Sequence, residues 1–309
     1  MKRVQYKSYG GPDVMSIGDY KVPALQPDQV LVSVRAAALN PLDWKQRQGA
    51  MKLFMGKAFP KGMGSDFAGV IEAVGTSVSH VQIGDEVFGT MDVRQPGAFA
   101  EALVTQSSYV VKKPSQISFA EAACLPIPAA TAWAALLTQS NVSKNSHILI
   151  NGCTGAVGSM AVQLALAHRA KVSGTCSPAS KPEARRMGVE TVFDYADEEV
   201  WRSVGPFDII FDTAGSLSIA RGLALLKSGG RFIDINPTPG RMLRGMLSRR
   251  YKVAFATMGT RHLPEIAELA ANGTLKVAIG IESPFSEALV AIAAAETGRR
   301  KPGRVVLTF

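Results

Sequence analysis

The sequence predicts an α/β protein with a doubly wound parallel sheet, preceded by a region of antiparallel strands. The run from Ile148 to Gly158 has the pattern of a buried strand, a glycine turn and the start of a helix. Beyond it, short apolar runs alternate with segments of helical period, which indicates a parallel sheet because parallel strands need crossover connections. The first 120 residues instead show strand character punctuated by Gly and Pro, which favours an irregular antiparallel barrel.

Each element follows from a local pattern. The helix that continues the glycine turn is predicted over 160–167, and further helices over 180–187, 217–226 and 242–248. Apolar runs predict strands at 30–35, 69–75, 148–150, 171–175, 191–193, 207–211, 231–235, 252–256 and 305–309.

Length and composition limit the class of protein. A chain of 309 residues is expected to form two domains, and 47% hydrophobic with 19% charged residues is typical of a globular protein. No apolar run is long enough to cross a bilayer, and the N-terminus lacks the apolar core of a signal peptide. Three cysteines without metal-ligand spacing suit a reducing compartment, so we expect a cytoplasmic protein.

The formal charge is +9, and basic residues gather at 241–252 and 299–304. No aromatic residues interleave with these arginines as a stacking platform for single strands would require. Basic runs are usually solvated surfaces, so the pattern argues against a nucleic-acid partner.

The glycine turn after the strand at 148–150 predicts a pyrophosphate site. Gly152, Gly155 and Gly158 allow a tight turn and let a phosphate approach bare amide groups at the positive end of a helix. The spacing is Gly-x-x-Gly-x-x-Gly, which departs from the more familiar Gly-x-Gly-x-x-Gly, so the alternation that follows it has to support the interpretation.

The next strand predicts the kind of dinucleotide. An NAD site is expected to place Asp or Glu about 20 residues after the glycines to hold the ribose hydroxyls. The segment from Cys176 to Lys181 offers hydroxyls and a cation instead, which indicates a seat for the extra phosphate of NADPH. Arg185 and Arg186 are nearby alternatives for the cation.

Several short motifs occur in a fixed order along the whole chain. They are Asn40-Pro-x-Asp43, Gly64-x-Asp66-x-x-Gly69, Gly84-Asp85-x-Val87, Gly97-x-Phe99-Ala100-Glu101, Thr131 and the glycine turn. Because these motifs occur in this order, the chain resembles the zinc-free quinone and enone reductase branch of the medium-chain dehydrogenase/reductase superfamily. The resemblance implies a chaperonin-10-like β-barrel catalytic domain at 1–120 and 258–309, and a six-stranded Rossmann NADPH-binding domain at 121–257. It also implies a homodimer paired through edge strands of the nucleotide domain.

The resemblance also bears on the chemistry. Zinc-dependent relatives have Cys where Asn40 stands and His where Ser65 stands, and the four histidines of this chain are scattered, so no metal is expected. Adding hydride to a quinone or to a C=C bond next to a carbonyl produces an oxyanion that hydrogen-bond donors can stabilise. The expected activity is therefore NADPH-dependent reduction of quinones or α,β-unsaturated carbonyls.

Site residues are carried over by position from the resemblance. Lys45, helped by Asn40, is expected to donate to the developing oxyanion, and Asp43 to orient Lys45 and its loop, with helix capping as the alternative. Asp66 is assigned to loop architecture. The residues expected to bind the cofactor are Thr131, Gly152, Thr154, Gly155, Ala156, Val157, Gly158, Ser177, Lys181, Tyr195, Asn236, Phe255 and Ala256.

The sequence leaves two other functions open. An enoyl-thioester reductase would need a cationic entrance for a phosphopantetheine or coenzyme A arm, which the arginines at 241–250 could form. A nonenzymatic NADPH-binding protein that senses redox state or binds RNA would bind the cofactor without turnover. The physiological acceptor cannot be derived from the sequence, because the loops at 51–59 and 91–96 that would line its pocket have no conformation fixed by the sequence.

Overall fold

The computed structural model describes residues 1–197, 205–236, 238–245, 247–258, 260–298 and 303–309. The chain forms two compact units, one made of Met1–Ile127 with Leu263–Phe309 and the other of Pro128–His262. The domain boundaries predicted from the sequence fall after residues 120 and 257, whereas the two units of the structure divide after residues 127 and 262.

Short strands and helices follow one another along the chain. In order, they are β1 (Lys2–Tyr6), β2 (Met15–Asp19), β3 (Gln29–Ala38), α1 (Pro41–Arg47), β4 (Lys61–Gly62), β5 (Asp66–Val74), β6 (Glu86–Thr90), β7 (Ala102–Gln106), β8 (Val110–Lys112), α2 (Phe119–Ala123), α3 (Pro126–Trp133), β9 (His147–Asn151), α4 (Ala156–Ala167), β10 (Lys171–Cys176), α5 (Lys181–Arg186), β11 (Thr191–Asp194), β12 (Phe207–Asp212), α6 (Ile219–Ala224), β13 (Leu226–Asp234), α7 (Pro239–Gly245), β14 (Tyr251–Val253), α8 (Leu263–Ala271), β15 (Ile279–Pro284), α9 (Ala288–Glu296) and β16 (Arg304–Thr308).

The first unit is built on mainly antiparallel sheets. A three-stranded sheet has the order β2-β1-β4, and a larger sheet has the order β15-β16-β3-β5-β6-β8, with β7 also paired to β3. The apolar alternation of β3 places Val30, Val32 and Val34 in the core of this unit. The C-terminal strand β16 pairs with β3, so the last residues of the chain complete the sheet that the first 120 residues begin.

The second unit contains a six-stranded parallel sheet with the order β11-β10-β9-β12-β13-β14. Counted from β9, this is the strand order 3-2-1-4-5-6 of a doubly wound dinucleotide fold. The predicted fold class is therefore confirmed. In such sheets ligands bind at the carboxyl ends of the strands, near the place where the strand order reverses, which here lies between β9 and β12.

Some predicted boundaries in this unit were wrong. Leu226 was assigned to a helix but begins β13, because the pairing of β12 with β13 advances irregularly from Leu226 to Arg231 and keeps the intervening residues in the strand. The helix predicted at 242–248 is observed as α7 and starts earlier. The hydroxyl of Thr238 accepts a hydrogen bond from the backbone N–H of Arg241 at 3.3 Å, and Pro239 suits the first helical position.

Candidate active site

The loop between β9 and α4 has the shape that its glycines predict. Gly152 adopts a φ of +84°, which favours glycine, and its N–H donates to Oγ1 of Thr175 at 3.0 Å. A Cβ on Gly158 would lie 2.1 Å from the carbonyl oxygen of Gly152, so α4 can approach the loop only because residue 158 has no side chain. Gly155 is exposed and immediately precedes α4.

The start of α4 fits the pyrophosphate of a dinucleotide. The helix is 12 residues long. The N–H groups of its first turn, on Ala156, Val157 and Gly158, have no carbonyl partner within the helix, and Thr154 lies half-buried just before them. Such N–H groups and the helix dipole attract an anion. The structure thus brings together the residues of this loop that were predicted to bind the cofactor.

The residues predicted for the adenosine end lie at the carboxyl ends of β10 and β11, which pair in parallel. Ser177 follows β10, and its Oγ lies 3.0 Å from Oγ of Ser180. Lys181 begins α5 and is partly exposed, while Tyr195 directly follows β11 with an exposed ring. Residues 177–181, all of which the structure describes, include no carboxylate after β10, where an NAD-specific fold would place one.

A row of buried polar side chains crosses the carboxyl ends of the central strands, and sequence reasoning missed it. In β9, β12 and β13, Asn151, Asp212 and Asp234 are paired in register and at most 1% exposed. Arg241 on α7 donates to Oδ2 of Asp234 at 2.6 Å. The signal for this row was an Asp at the end of each of two buried strands, but its pairing with Arg241 depends on the position of α7.

The charged groups of this row influence one another. Burial raises the pKa of the Asp212 carboxyl, and the nearby charge of Asp234 acts in the same direction. Burial, together with the hydrogen bond that Tyr251 donates to Asp234, raises the pKa of the Tyr251 hydroxyl to about 12. Arg241, one of the arginines considered for a cationic entrance, is therefore bound inside its own unit.

In the first unit, the start of α1 is fixed by a buried carboxylate. Oδ2 of Asp43 accepts from the backbone N–H of Asn40 at 2.7 Å, and Oδ1 accepts from the hydroxyl of Ser65 at 2.8 Å. Burial raises the pKa of the Asp43 carboxyl to about 7. The two oxygens of Asp43 thus bind the residue before α1 and the residue before β5, while Lys45 is exposed on α1.

The side chain of Asn40 belongs to a second buried group. Its Nδ2 donates to Oδ2 of Asp66 at 3.0 Å, and its Oδ1 accepts from Nη2 of Arg304 at 2.9 Å. Asp66 also accepts from the backbone N–H of Ile127 at 3.0 Å. Burial raises the pKa of the Asp66 carboxyl to about 7. Sequence reasoning missed Arg304, which is 264 positions from Asn40.

The remaining predicted residues lie in the second unit. Thr131 is buried on α3. Asn236 follows β13, and its side chain lies against Gly215, where an added Cβ would be 2.7 Å from Nδ2. Phe255 is exposed beyond the end of β14, and Ala256 begins a short 3-10 turn, so the strand predicted to reach residue 256 ends at Val253.

The residues at the zinc-ligand positions of related dehydrogenases do not fit a metal. Asn40 accepts from a buried arginine, and Ser65 donates to Asp43. Among the residues that the structure describes, no group of three or more His, Cys, Asp or Glu side chains could hold a metal ion. Over the same residues, no helix is long and apolar enough to cross a membrane.

A doubly wound six-stranded sheet with a glycine loop after β9, combined with a mainly antiparallel unit, is typical of a dinucleotide-binding dehydrogenase or reductase. Residues 26–115 match the alcohol dehydrogenase GroES-like domain, and residues 187–307 match the zinc-binding dehydrogenase family.

Individual relatives extend these matches over the whole chain. The 2-methylene-furan-3-one reductase of Solanum lycopersicum is 31% identical over 99% of this chain and 79% of its own length. The NADPH-dependent alkenal/one oxidoreductase of Arabidopsis thaliana is 34% identical over 76% of this chain and 62% of its own. The structure of the quinone oxidoreductase from Coxiella burnetii superposes with a TM-score of 0.90 at 29% identity, covering 100% of this chain and 99% of that one.

The chain belongs to the quinone and enone oxidoreductase branch of the medium-chain dehydrogenase/reductase superfamily. The family predicted from the ordered motifs is thereby confirmed. Membership implies an enzyme that uses a nicotinamide dinucleotide, and the glycine loop fits that group.

Proposed function

We propose that this protein transfers hydride from NADPH to a quinone or to the C=C bond of an α,β-unsaturated carbonyl compound. The observation that carries the proposal is the glycine loop at 152–158 leading into α4, combined with Ser177 and Lys181 in place of a carboxylate after β10. The relative named as an NADPH-dependent alkenal/one oxidoreductase supports this cofactor and acceptor class, and the relative named as a 2-methylene-furan-3-one reductase supports the acceptor class.

The second unit supplies the cofactor contacts in this proposal. The first-turn N–H groups of α4 bind the pyrophosphate, while Ser177 and Lys181 bind the 2′-phosphate. Tyr195 lies along the adenosine, and the nicotinamide end is bound by Thr131, Asn236, Phe255 and Ala256. The reduced nicotinamide supplies the hydride when it is bound.

The first unit supplies the donor for the oxyanion. Lys45 donates to the acceptor oxygen that gains negative charge, as a fixed cation does in an oxyanion hole. Its backbone position follows from the start of α1, which Asp43 fixes through the N–H of Asn40. We assign Asn40 and Asp43 to positioning Lys45, because both side chains are buried and bonded to neighbouring residues.

An apolar loop in the first unit supports an apolar acceptor. Leu53 and Phe54 are 87% and 68% exposed, within the loop that was predicted to line the acceptor pocket. Nζ of Lys61 donates to the carbonyl oxygens of Met55 and Gly56 at 2.8 and 3.1 Å and so holds the loop just after these side chains. Exposed apolar side chains on a held loop suit the ring of a quinone or the chain of an alkenal.

We also propose a homodimer that pairs through the edge strand β14 of the parallel sheet. The segment just before β14 exposes three large apolar side chains, with Met242, Leu243 and Leu247 at 47%, 70% and 90%. An apolar patch beside the edge strand of a sheet favours association with a second copy.

We further propose a cytoplasmic setting without a nucleic-acid partner. Cys124, Cys153 and Cys176 are free and buried, which suits a reducing compartment such as the cytoplasm. Arg241 and Arg250 bind carboxylates or backbone carbonyls of their own unit, so they add little to a surface for nucleic acid. The basic residues at 299–301 lie outside the described residues.

The deciding experiment measures NADPH oxidation with ortho-quinones, para-quinones, short alkenals and an enoyl thioester as acceptors. We expect the highest kcat/KM for a quinone or an alkenal. A clear preference for the thioester would instead identify an enoyl-thioester reductase. Tight NADPH binding without turnover of any acceptor would contradict the proposed activity and favour a nonenzymatic role.

A further inference from the structure

The polar row at the carboxyl ends of the strands in the second unit is a continuous hydrogen-bonded chain across β10, β9, β12 and β13. The hydroxyl of Thr175 in β10 donates to Oδ1 of Asn151 at 2.5 Å, and Nδ2 of Asn151 donates to Oδ1 of Asp212 at 2.7 Å. Arg241 then joins Asp212 to Asp234, with distances of 3.5 Å from Nη2 and 2.6 Å from Nε.

Each carboxylate or hydroxyl in this row also holds a loop. Oγ1 of Thr175 accepts the N–H of Gly152 in the glycine loop at 3.0 Å. Asp212 accepts the N–H groups of Gly215 at 2.8 Å and Leu217 at 3.0 Å, and Asp234 accepts the N–H of Asn236 at 2.8 Å. The row therefore connects the loops that follow β9, β12 and β13.

The charge balance of the row depends on Arg241. Asp212 and Asp234 are 0% exposed, and Arg241 forms ion pairs with both. Without this cation, two buried carboxylates would remain close together, which is costly unless they are neutralised or move apart. They would also add negative charge at the end of the sheet where the anionic dinucleotide is proposed to bind.

We propose that Arg241 is a positioning residue for the dinucleotide, which holds the three loops at the carboxyl ends of β9, β12 and β13 in their binding geometry by neutralising Asp212 and Asp234. It does not touch the cofactor in this role. The inference rests on the proposed function, because it requires that NADPH binds at these loops.

The test measures NADPH affinity by fluorescence titration of the full chain, beside its thermal unfolding midpoint. Arg241→Met keeps the length of the side chain and removes its charge. We expect the Kd for NADPH to rise by about 10-fold or more, the scale of an uncompensated buried charge that is relieved by loop movement. The double variant Arg241→Met with Asp234→Asn also removes one of the two carboxylates that lose their counter-charge. Its Kd should return to within about 3-fold of the wild type, because the effects of neighbouring charges are coupled.

Arg250→Met is the matched control. Arg250 lies in the same unit but donates to the backbone carbonyls of Gly230 and Lys227, at 3.2 and 2.8 Å. We expect this variant to lose stability with little change in Kd. A purely structural role for Arg241 would give the same result for Arg241→Met, with a lower midpoint and an unchanged Kd, and would overturn the inference.

Arg241→Lys covers the case in which the Met variant does not fold. A lysine keeps the charge but cannot form the separate contacts with Asp234, Asp212 and the carbonyl of Leu217 that the guanidinium makes. Because the lysine keeps the charge that neutralises Asp212 and Asp234, we expect the Kd to stay within about 3-fold of the wild type, and a rise of about 10-fold or more would overturn the inference that neutralisation is what Arg241 supplies. Failure of the wild type to bind NADPH would instead refute the proposed function.

Discussion

Arg304, in the last strand of the chain, donates through Nη2 to Oδ1 of Asn40 at 2.9 Å. Asn40 is the N-cap residue of α1, and α1 carries Lys45. The C-terminal strand therefore helps to fix the helix on which the proposed oxyanion donor lies.

Replacing Lys45 by Ala tests the proposed donor. We expect kcat to fall by about 100- to 1,000-fold, the usual effect of removing an oxyanion donor. The Kd for NADPH should stay unchanged, because the proposed cofactor contacts lie in the other unit. Steady-state kinetics and a binding titration separate the two quantities. Lys7→Ala, an exposed lysine of the same unit, is the control, and equal kcat values for the two variants would remove Lys45 from the mechanism.

Replacing Lys181 by Glu tests the choice of cofactor. A carboxylate at this position repels the 2′-phosphate and can accept from the ribose hydroxyls, so the preference for NADPH over NADH should reverse. The measurement is the ratio of kcat/KM for the two cofactors. Arg186→Glu on the same helix serves as the comparison. A loss of preference in the Arg186 variant alone would place the phosphate contact on that arginine.

Replacing Gly158 by Ala tests the phosphate loop. The new Cβ would lie 2.1 Å from the carbonyl oxygen of Gly152, so α4 and the loop must separate. We expect NADPH affinity to fall by about 10-fold or more, because loop N–H groups bind phosphate only in a defined geometry. Gly240→Ala, where an added Cβ meets open space, should bind normally. Full affinity in the Gly158 variant would show that this loop is not the pyrophosphate site.

Replacing both Leu243 and Leu247 by Glu tests the proposed dimer. Charges in an apolar contact between two copies should shift the protein to monomer, as measured by light scattering after size-exclusion chromatography. Val290→Glu changes an apolar residue of the other unit that is 73% exposed, close to the 70% of Leu243, and should leave the mass unchanged. A wild type that is already monomeric at micromolar concentration would contradict the proposal.

The parts of the site that are local in sequence could be predicted, and those that depend on distant partners could not. Gly152, Gly155 and Gly158 lie within seven positions, so the loop and the start of α4 could be predicted from their spacing together with the alternation that follows. Helix–strand alternation similarly indicates the parallel sheet. The contacts of Asn40 with Arg304 and of Asp234 with Arg241 require the folded sheets, because side chains of this kind have many possible partners along the chain. The start of β13 could not be predicted for a related reason. The strand was expected to begin at Arg231, but its irregular pairing with β12 extends it back through Gly230 and Gly229 to Leu226.

The buried carboxylates of Asp43 and Asp66 make stability depend on pH in an unusual direction. Burial raises the pKa of each to about 7, from an ordinary value of 3.8. Between pH 4 and 7 the folded protein therefore binds more protons than the unfolded chain, and the free energy of unfolding falls as the pH rises. The stabilisation from these groups is complete below about pH 4 and is lost as the pH rises through about 7.

Replacing Asp43 by Asn should reduce this dependence, because the amide cannot ionise and can still accept from the N–H of Asn40. The loss in unfolding free energy between pH 5 and pH 8 should be smaller than in the wild type by about 1–3 kcal/mol, as a shift of this size in one carboxyl implies. Urea unfolding followed by tryptophan fluorescence at the two pH values measures the difference. Asp13→Asn, at an exposed position, should match the wild type at both. If Asp43→Asn retained the full pH dependence of the wild type, the carboxyl of Asp43 would be ionised in the folded protein throughout this range, and its burial would have to be offset by the N–H of Asn40, the hydroxyl of Ser65 and the charge of Arg304.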